Sequence, residues 1–205
     1  MERAVVDPLL ERLERRTREL RLGSGLDPMV DVGPLINAGA RDKVATYVGI
    51  GRTEGDLVVG GSVVTGGEFA HGHFFEPTIF AGVDPMDRIG QEEIFGPVLS
   101  VIPVDDYGSA VLALNQTRYG LSSSIFTRDV NTAFRAMGDF ETGIVYVNAG
   151  TTGAETHLPF GGWKETGNGH REAGHVALDT YTEWKSIYVD FSGRLQRAQI
   201  DNQPG

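Results

Sequence analysis

Leu9, Leu10, Leu13, Thr17 and Leu20 fall on one helical face, and Asp7-Pro8 ahead of them reads as an N-cap with proline at the first helical position. Glu11/Arg15 and Glu14/Arg18 sit one turn apart on the charged side, in the order that favours ion pairing, and Gly23 is expected to end the helix. A second helical pattern, through Ala40, Val44, Tyr47 and Val48, runs over residues 37–54 and closes at Gly55. The texture then changes to short β-rich runs at residues 57–59 and 74–80. Pro77 has no N–H for a ladder, which predicts an edge strand or an irregular one for the second run.

Residues 98–104 are almost continuously apolar, as in a strand covered on both faces. A helix over 107–115, a strand over 121–127, a helix over 130–137 and a strand over 144–147 follow. Strand, helix, strand, helix, strand at this spacing predicts an α/β fold with a parallel-type sheet flanked by helices. The glycine-rich stretch 148–174 reads as a long structured loop, and such loops usually carry function. A last β-like run at 186–189 precedes a polar tail.

At 205 residues the chain fits one domain with extensions, and its 40% hydrophobic content suffices for a core. A net charge of −10 argues against nucleic acid, which needs a surplus of Lys and Arg. No apolar run approaches the roughly 20 residues that span a bilayer. Met1-Glu2-Arg3 leads into a charged helix instead of an apolar signal core, so a cytoplasmic location is expected. Cysteine is absent, which removes disulfides, Cys-type zinc sites and the commonest strong nucleophile.

Several simple chemistries lack support. Gly49, Gly51 and Gly55 end a helix, whereas a dinucleotide loop follows a strand. His71/His73 and His170/His175 lack the i, i+4 spacing of a helical zinc pair, so no metal site is expected. No G-x-S-x-G elbow is present for a serine nucleophile. Glu92 and Glu93 are adjacent on an extended segment and point opposite ways, unlike two acids flanking one glycosidic bond; one of them reads as a solvated surface acid.

The stretch Gln91-Glu92-Glu93-Ile94-Phe95-Gly96-Pro97-Val98 resembles a segment of the aldehyde dehydrogenases. Four further landmarks lie in that family's order: Val32-Gly33-Pro34-Leu35-Ile36, Glu76-Pro77-Thr78-Ile79-Phe80, Tyr119-Gly120-Leu121-Ser122-Ser123-Ser124-Ile125-Phe126-Thr127 and Pro159-Phe160-Gly161-Gly162-Trp163-Lys164-Glu165-Thr166-Gly167. The resemblance covers about residues 1–189. It implies a catalytic-domain portion over residues 1–180 and an oligomerisation strand with a polar tail over 181–205, hence a homo-oligomer.

The resemblance also implies site residues. Glu93 matches the acid that hydrogen-bonds the nicotinamide ribose of NAD or NADP, a diol that a carboxylate accepts from twice. Phe95 matches the aromatic that limits where the nicotinamide sits, and Phe160 the aromatic that lines the aldehyde pocket. All three are expected around one cleft. Gly153-Ala154-Glu155 resembles an element of relatives acting on amino-acid semialdehydes such as aminoadipate semialdehyde, where backbone N–H groups hold a carboxylate.

The family's chemistry needs a cysteine thiolate, an oxyanion hole and a glutamate base, all of which the resemblance places ahead of Met1. No catalytic residue is therefore assigned here, and the chain alone is expected to be inactive and to bind NAD or NADP weakly or not at all. Two alternatives stand: the C-terminal part of an aldehyde dehydrogenase, and a stand-alone binding or assembly domain derived from that family.

Overall fold

The structure is a computed structural model that describes residues 1–153 and 155–193. Helix α1 spans Arg3–Glu19 and so begins a turn before Asp7, with Pro8 inside it. Contacts remote in sequence explain the early start. The Met1 amine donates to the Ile102 carbonyl at 2.8 Å. The Val104 N–H donates to the Met1 carbonyl at 2.8 Å, and the Arg3 N–H to the Val104 carbonyl at 2.9 Å. These bonds fix the chain where a helix start leaves donors free, and the bond forfeited at Pro8 is tolerated. The helix also stops at Leu20, ahead of Gly23. Helix α2 (Ala38–Glu54) keeps its expected bounds, with the Asn37 side chain accepting from the Ala40 N–H at 2.8 Å. Gly55 caps it in an extended conformation, and glycine is needed there because a Cβ would lie 2.8 Å from the Ala81 carbonyl oxygen.

Strands β1 (Asp56–Val59), β2 (Val63–Val64), β3 (Phe74–Phe75) and β4 (Thr78–Ala81) follow. β2 and β3 form a short antiparallel ribbon. After helix α3 (Arg88–Gln91) comes β5 (Val98–Val101), and the main sheet has the order β1-β4-β5. β1 runs antiparallel to β4, and β4 parallel to β5. Side chains of β4 alternate between two layers, as strand geometry requires. Ile79 joins Val59, Val101 and the α1 residues Leu10 and Leu13. Phe80 joins Val44 and Val48 of α2 with Phe75, Val83, Ile89 and Ile94. A Cβ on Gly51 would lie 2.7 Å from the Phe80 ring, so Gly51 serves the close packing of α2 on β4.

Pro77 makes its run irregular, one of the two outcomes expected of it: the run is split into β3 and β4, and β4 is the fully buried central strand and not an edge. The absent donor falls in the step between β3 and β4, where no ladder bond is lost. β5, expected to be covered on both faces, is an edge strand with Leu99 46% exposed, because β4 is its one partner among the described residues.

The second half carries α4 (Tyr107–Asn115), β6 (Tyr119–Gly120), β7 (Ser122–Ile125), α5 (Val130–Asp139), β8 (Ile144–Val147), β9 (Trp163–Lys164) and α6 (Leu178–Tyr181). β7 and β8 are parallel and α5 connects them, as the spacing predicts. β5 is not their neighbour, so the expected three-strand unit is divided between two sheets. The architecture is α/β with mixed sheets. Residues 186–189 pair with nothing among the described residues and form no strand in the monomer; Trp184 is 88% and Tyr188 94% exposed. A ladder needs a partner strand, and the described residues supply none. Among the described residues no helix is long and apolar enough to cross a membrane.

Candidate functional site

The segment after α3 is pinned residue by residue. Ile94 is buried in the α2 core, and Gly96 allows the chain to pass Val44, whose Cγ2 would lie 2.3 Å from a Cβ there. With Ile94 inward, Glu93 and Phe95 on either side are exposed. Phe95 holds φ at 57° and is 77% exposed. A bulky residue in left-handed backbone with its ring in solvent is strained by about 1–3 kcal/mol, the kind of strain that clusters at ligand sites. Lys43 of α2 donates to the Glu93 main-chain carbonyl at 2.8 Å. The Glu93 carboxylate itself has no hydrogen bond or ion pair among the described residues.

Glu92 has a different part. Arg88 donates to both of its oxygens at 2.9 Å, and the Tyr47 hydroxyl donates at 2.5 Å. Lys43 and Arg88 both lie over the Tyr47 ring. The bonds from Arg88, then those from Tyr47, hold the Glu92 carboxyl at a pKa of about 2, and the same contact with Glu92 raises that of Tyr47. The solvated acid of the pair is thus Glu93, while Glu92 fastens α3 to α2. A depressed carboxyl stabilises the fold above its unfolded value of 4.5, and the contribution fades as pH falls towards 2. Thermal melts should therefore show native chain and Glu92→Gln differing most above pH 4.5, and converging below it. A gap that stays constant down to pH 2 would contradict this account.

Glu93 lines a hollow of about 500 Å³ with Glu92, Thr117, Tyr119, Glu165 and Thr166. Phe160 lines a second, of about 600 Å³, with Thr166, Asn168, His170, Arg171 and Tyr181. Thr166 stands in both walls. The two residues therefore face adjoining hollows instead of the single expected cleft, and Phe95 lines neither. Phe160 is half-buried and exchanges backbone hydrogen bonds with Glu172 at 2.6 and 2.7 Å. Its loop comes close to β8: a Cβ on Gly143 would lie 1.8 Å from the Gly161 carbonyl oxygen. Gly153 is exposed with φ at 89°; Ala154 lies outside the described residues. Among the described residues no group of His, Asp and Glu could hold a metal ion. The supports Lys43 and Tyr47 were not evident from sequence, since each acts through a partner 45 residues or more away.

The profile of the aldehyde dehydrogenase family matches residues 1–187. This chain belongs to the aldehyde dehydrogenase family. It is 41% identical over 185 residues to a betaine aldehyde dehydrogenase of Mesorhizobium japonicum, covering 90% of this chain and 38% of that one. It is 42% identical over 189 residues to an alpha-ketoglutarate semialdehyde dehydrogenase of Haloferax volcanii, covering 91% and 39%. Among solved structures, a Staphylococcus aureus betaine aldehyde dehydrogenase in complex with NAD+ superposes with a TM-score of 0.87 at 31% identity, covering 95% of this chain and 39% of that one. The chain thus spans under two-fifths of these aldehyde dehydrogenases. The particular likeness to aminoadipate semialdehyde enzymes finds no counterpart in these matches.

Proposed function

We propose that this chain forms one wall of an NAD(P)-dependent aldehyde-oxidising site, with the nucleophilic thiolate, the base and the main nucleotide-binding domain supplied by the part of the family fold that it does not span. The observation that carries this is Glu93, an exposed carboxylate without a partner among the described residues, on a backbone fixed by Lys43 and Ile94. That free acceptor fits a ribose diol: the carboxylate accepts from two neighbouring hydroxyls at no cost of a bond already made. NAD(P), when bound, supplies the acceptor for the hydride of the aldehyde. Glu93 orients the ribose, Phe95 limits the positions open to the nicotinamide ring, and Phe160 packs against the aldehyde and keeps water from it. Gly153 presents its backbone N–H to the far end of the substrate, which suits an aldehyde that also carries a carboxylate. The alpha-ketoglutarate semialdehyde relative favours that class. Exposed apolar side chains at Trp184, Ile187 and Tyr188 suit pairing with a second copy.

An NAD+ titration of the isotope-labelled chain, followed by amide chemical shifts, tests the ribose contact. Only part of the cofactor's contacts lie in this chain, so the dissociation constant should be on the order of millimolar. Shifts should centre on residues 92–96, and Glu93→Gln should weaken binding about tenfold, the loss of a charge-assisted pair of bonds. Shifts elsewhere alone, or an unchanged constant in Glu93→Gln, would refute it.

A further inference from the structure

Lys164 stands out among the residues that no proposed role has absorbed. It lies in β9 with φ at 52°, left-handed backbone in a residue that is not glycine. Its side chain is 22% exposed. The ammonium reaches the Asn115 carbonyl at 2.6 Å, the Thr117 carbonyl at 3.1 Å and the Glu141 carboxylate at 3.0 Å. An ammonium has three donors, so these three acceptors use all of them and leave none for a substrate.

The acceptors come from the end of α4, the turn after it, and the approach to β8. The bonds around Lys164 tie the same regions. The Glu165 N–H donates to the Arg118 carbonyl at 3.0 Å, and the Gly120 N–H to the Thr166 hydroxyl at 2.9 Å. β9 itself pairs with β6, Lys164 opposite Tyr119. Residues 163–166 are thereby clamped to 115–120, and Lys164 is the charged centre of the clamp. Thr166, at one end, is the wall that the two hollows share; Phe160 lies four residues before Lys164 at the other. Glu93 is fixed by a separate set, Lys43 and the Ile94 anchor in the α2 core.

We propose that Lys164 is a positioning residue that holds the wall of Thr117, Tyr119, Glu165 and Thr166 against Glu93 and sets Phe160 relative to it, so that it serves both sides of the site. This rests on the proposed function for what the two sides bind. Lys164→Met keeps the length of the side chain and removes the ammonium. In amide hydrogen exchange on the intact chain it should speed exchange at Phe160, Glu165 and Glu172 at least tenfold, with the α2 amides and the β7–β8 ladder unchanged. Glu141→Gln, which removes only the ionic partner, should give the same pattern at smaller amplitude and serves if Lys164→Met fails to fold. Exchange that rises uniformly, or not at all, in these variants would overturn the proposal.

A second arm separates KM from kcat. In enzyme reconstituted from this chain and the part of a betaine aldehyde dehydrogenase that this chain does not match, Lys164→Met should raise the KM for aldehyde and for NAD+ about tenfold each and leave kcat within twofold. A loss of kcat with both KM values unchanged would overturn it. If the native chain reconstitutes no turnover, the proposed function fails, and the exchange measurement still decides the role of Lys164.

Discussion

Purified alone, this chain should reduce neither NAD+ nor NADP+ in the presence of any aldehyde. On the function proposed above, oxidation begins with attack by a thiolate, and the chain has no cysteine at all. Serine or threonine without a placed base is a poor substitute at neutral pH. Among the described residues, Ser123 Oγ lies 2.7 Å from Thr142 Oγ1, a buried pair that holds two segments together and faces no base. The loss should be total within the sensitivity of absorbance at the reduced nicotinamide. Turnover that disappears on Glu93→Ala would contradict this account, since some other residue would then be the nucleophile.

Gly143→Ala should have the largest effect on stability of any single methyl group added near the site. The new Cβ would stand 1.8 Å from the Gly161 carbonyl oxygen and 3.2 Å from the Gly162 Cα. Both are backbone atoms, so no rotamer change relieves the contact, and either β8 or the Phe160 loop must shift. Overpacking of this kind costs roughly 3 kcal/mol. Gly138→Ala in α5 is the matched control, because a Cβ there meets nothing within 4 Å. It should stabilise by about 0.5–1 kcal/mol through helix propensity. Midpoints of denaturant unfolding should move in opposite directions for the two variants. A shift of the same sign in both would show that the Gly143 contact does not govern the loop's position.

Local signals made most of the helices and strands legible in the sequence, and remote contacts decided the rest. α2, α4 and β8 follow from the periodicity of their apolar positions, and in the structure Asn37 and Asp106 cap the two helices by accepting from a backbone N–H three residues on. The start of α1 could not be read locally, because it depends on hydrogen bonds from Met1 and Arg3 to residues about 100 positions away. Pro77 correctly announced a break in its run, but not that the strand beyond it is central: the cost of its missing N–H depends on whether a neighbour asks for it, and the gap between β3 and β4 asks for none. Residues 186–189 have strand composition, but a strand exists only with its partner.

The candidate site divides in the same way. Family motifs pointed to Glu93, Phe95 and Phe160, and the i, i+4 pairing of Arg88 with Glu92 was available from spacing alone. That Glu92 also takes a bond from Tyr47, and that Lys164 closes three bonds at once, are facts of packing. No pattern along the chain announces them.

The most direct test of the central claim is reconstitution. The isolated chain is mixed with the part of the Mesorhizobium japonicum betaine aldehyde dehydrogenase that it does not match, and NADH formation from betaine aldehyde is followed. The account predicts that neither part turns over alone, that the mixture does, and that Glu93→Gln in this chain raises the KM for NAD+ about tenfold. Failure of the mixture, under conditions where the relative's own C-terminal part restores activity to the same remainder, would contradict it and favour a stand-alone binding or assembly domain.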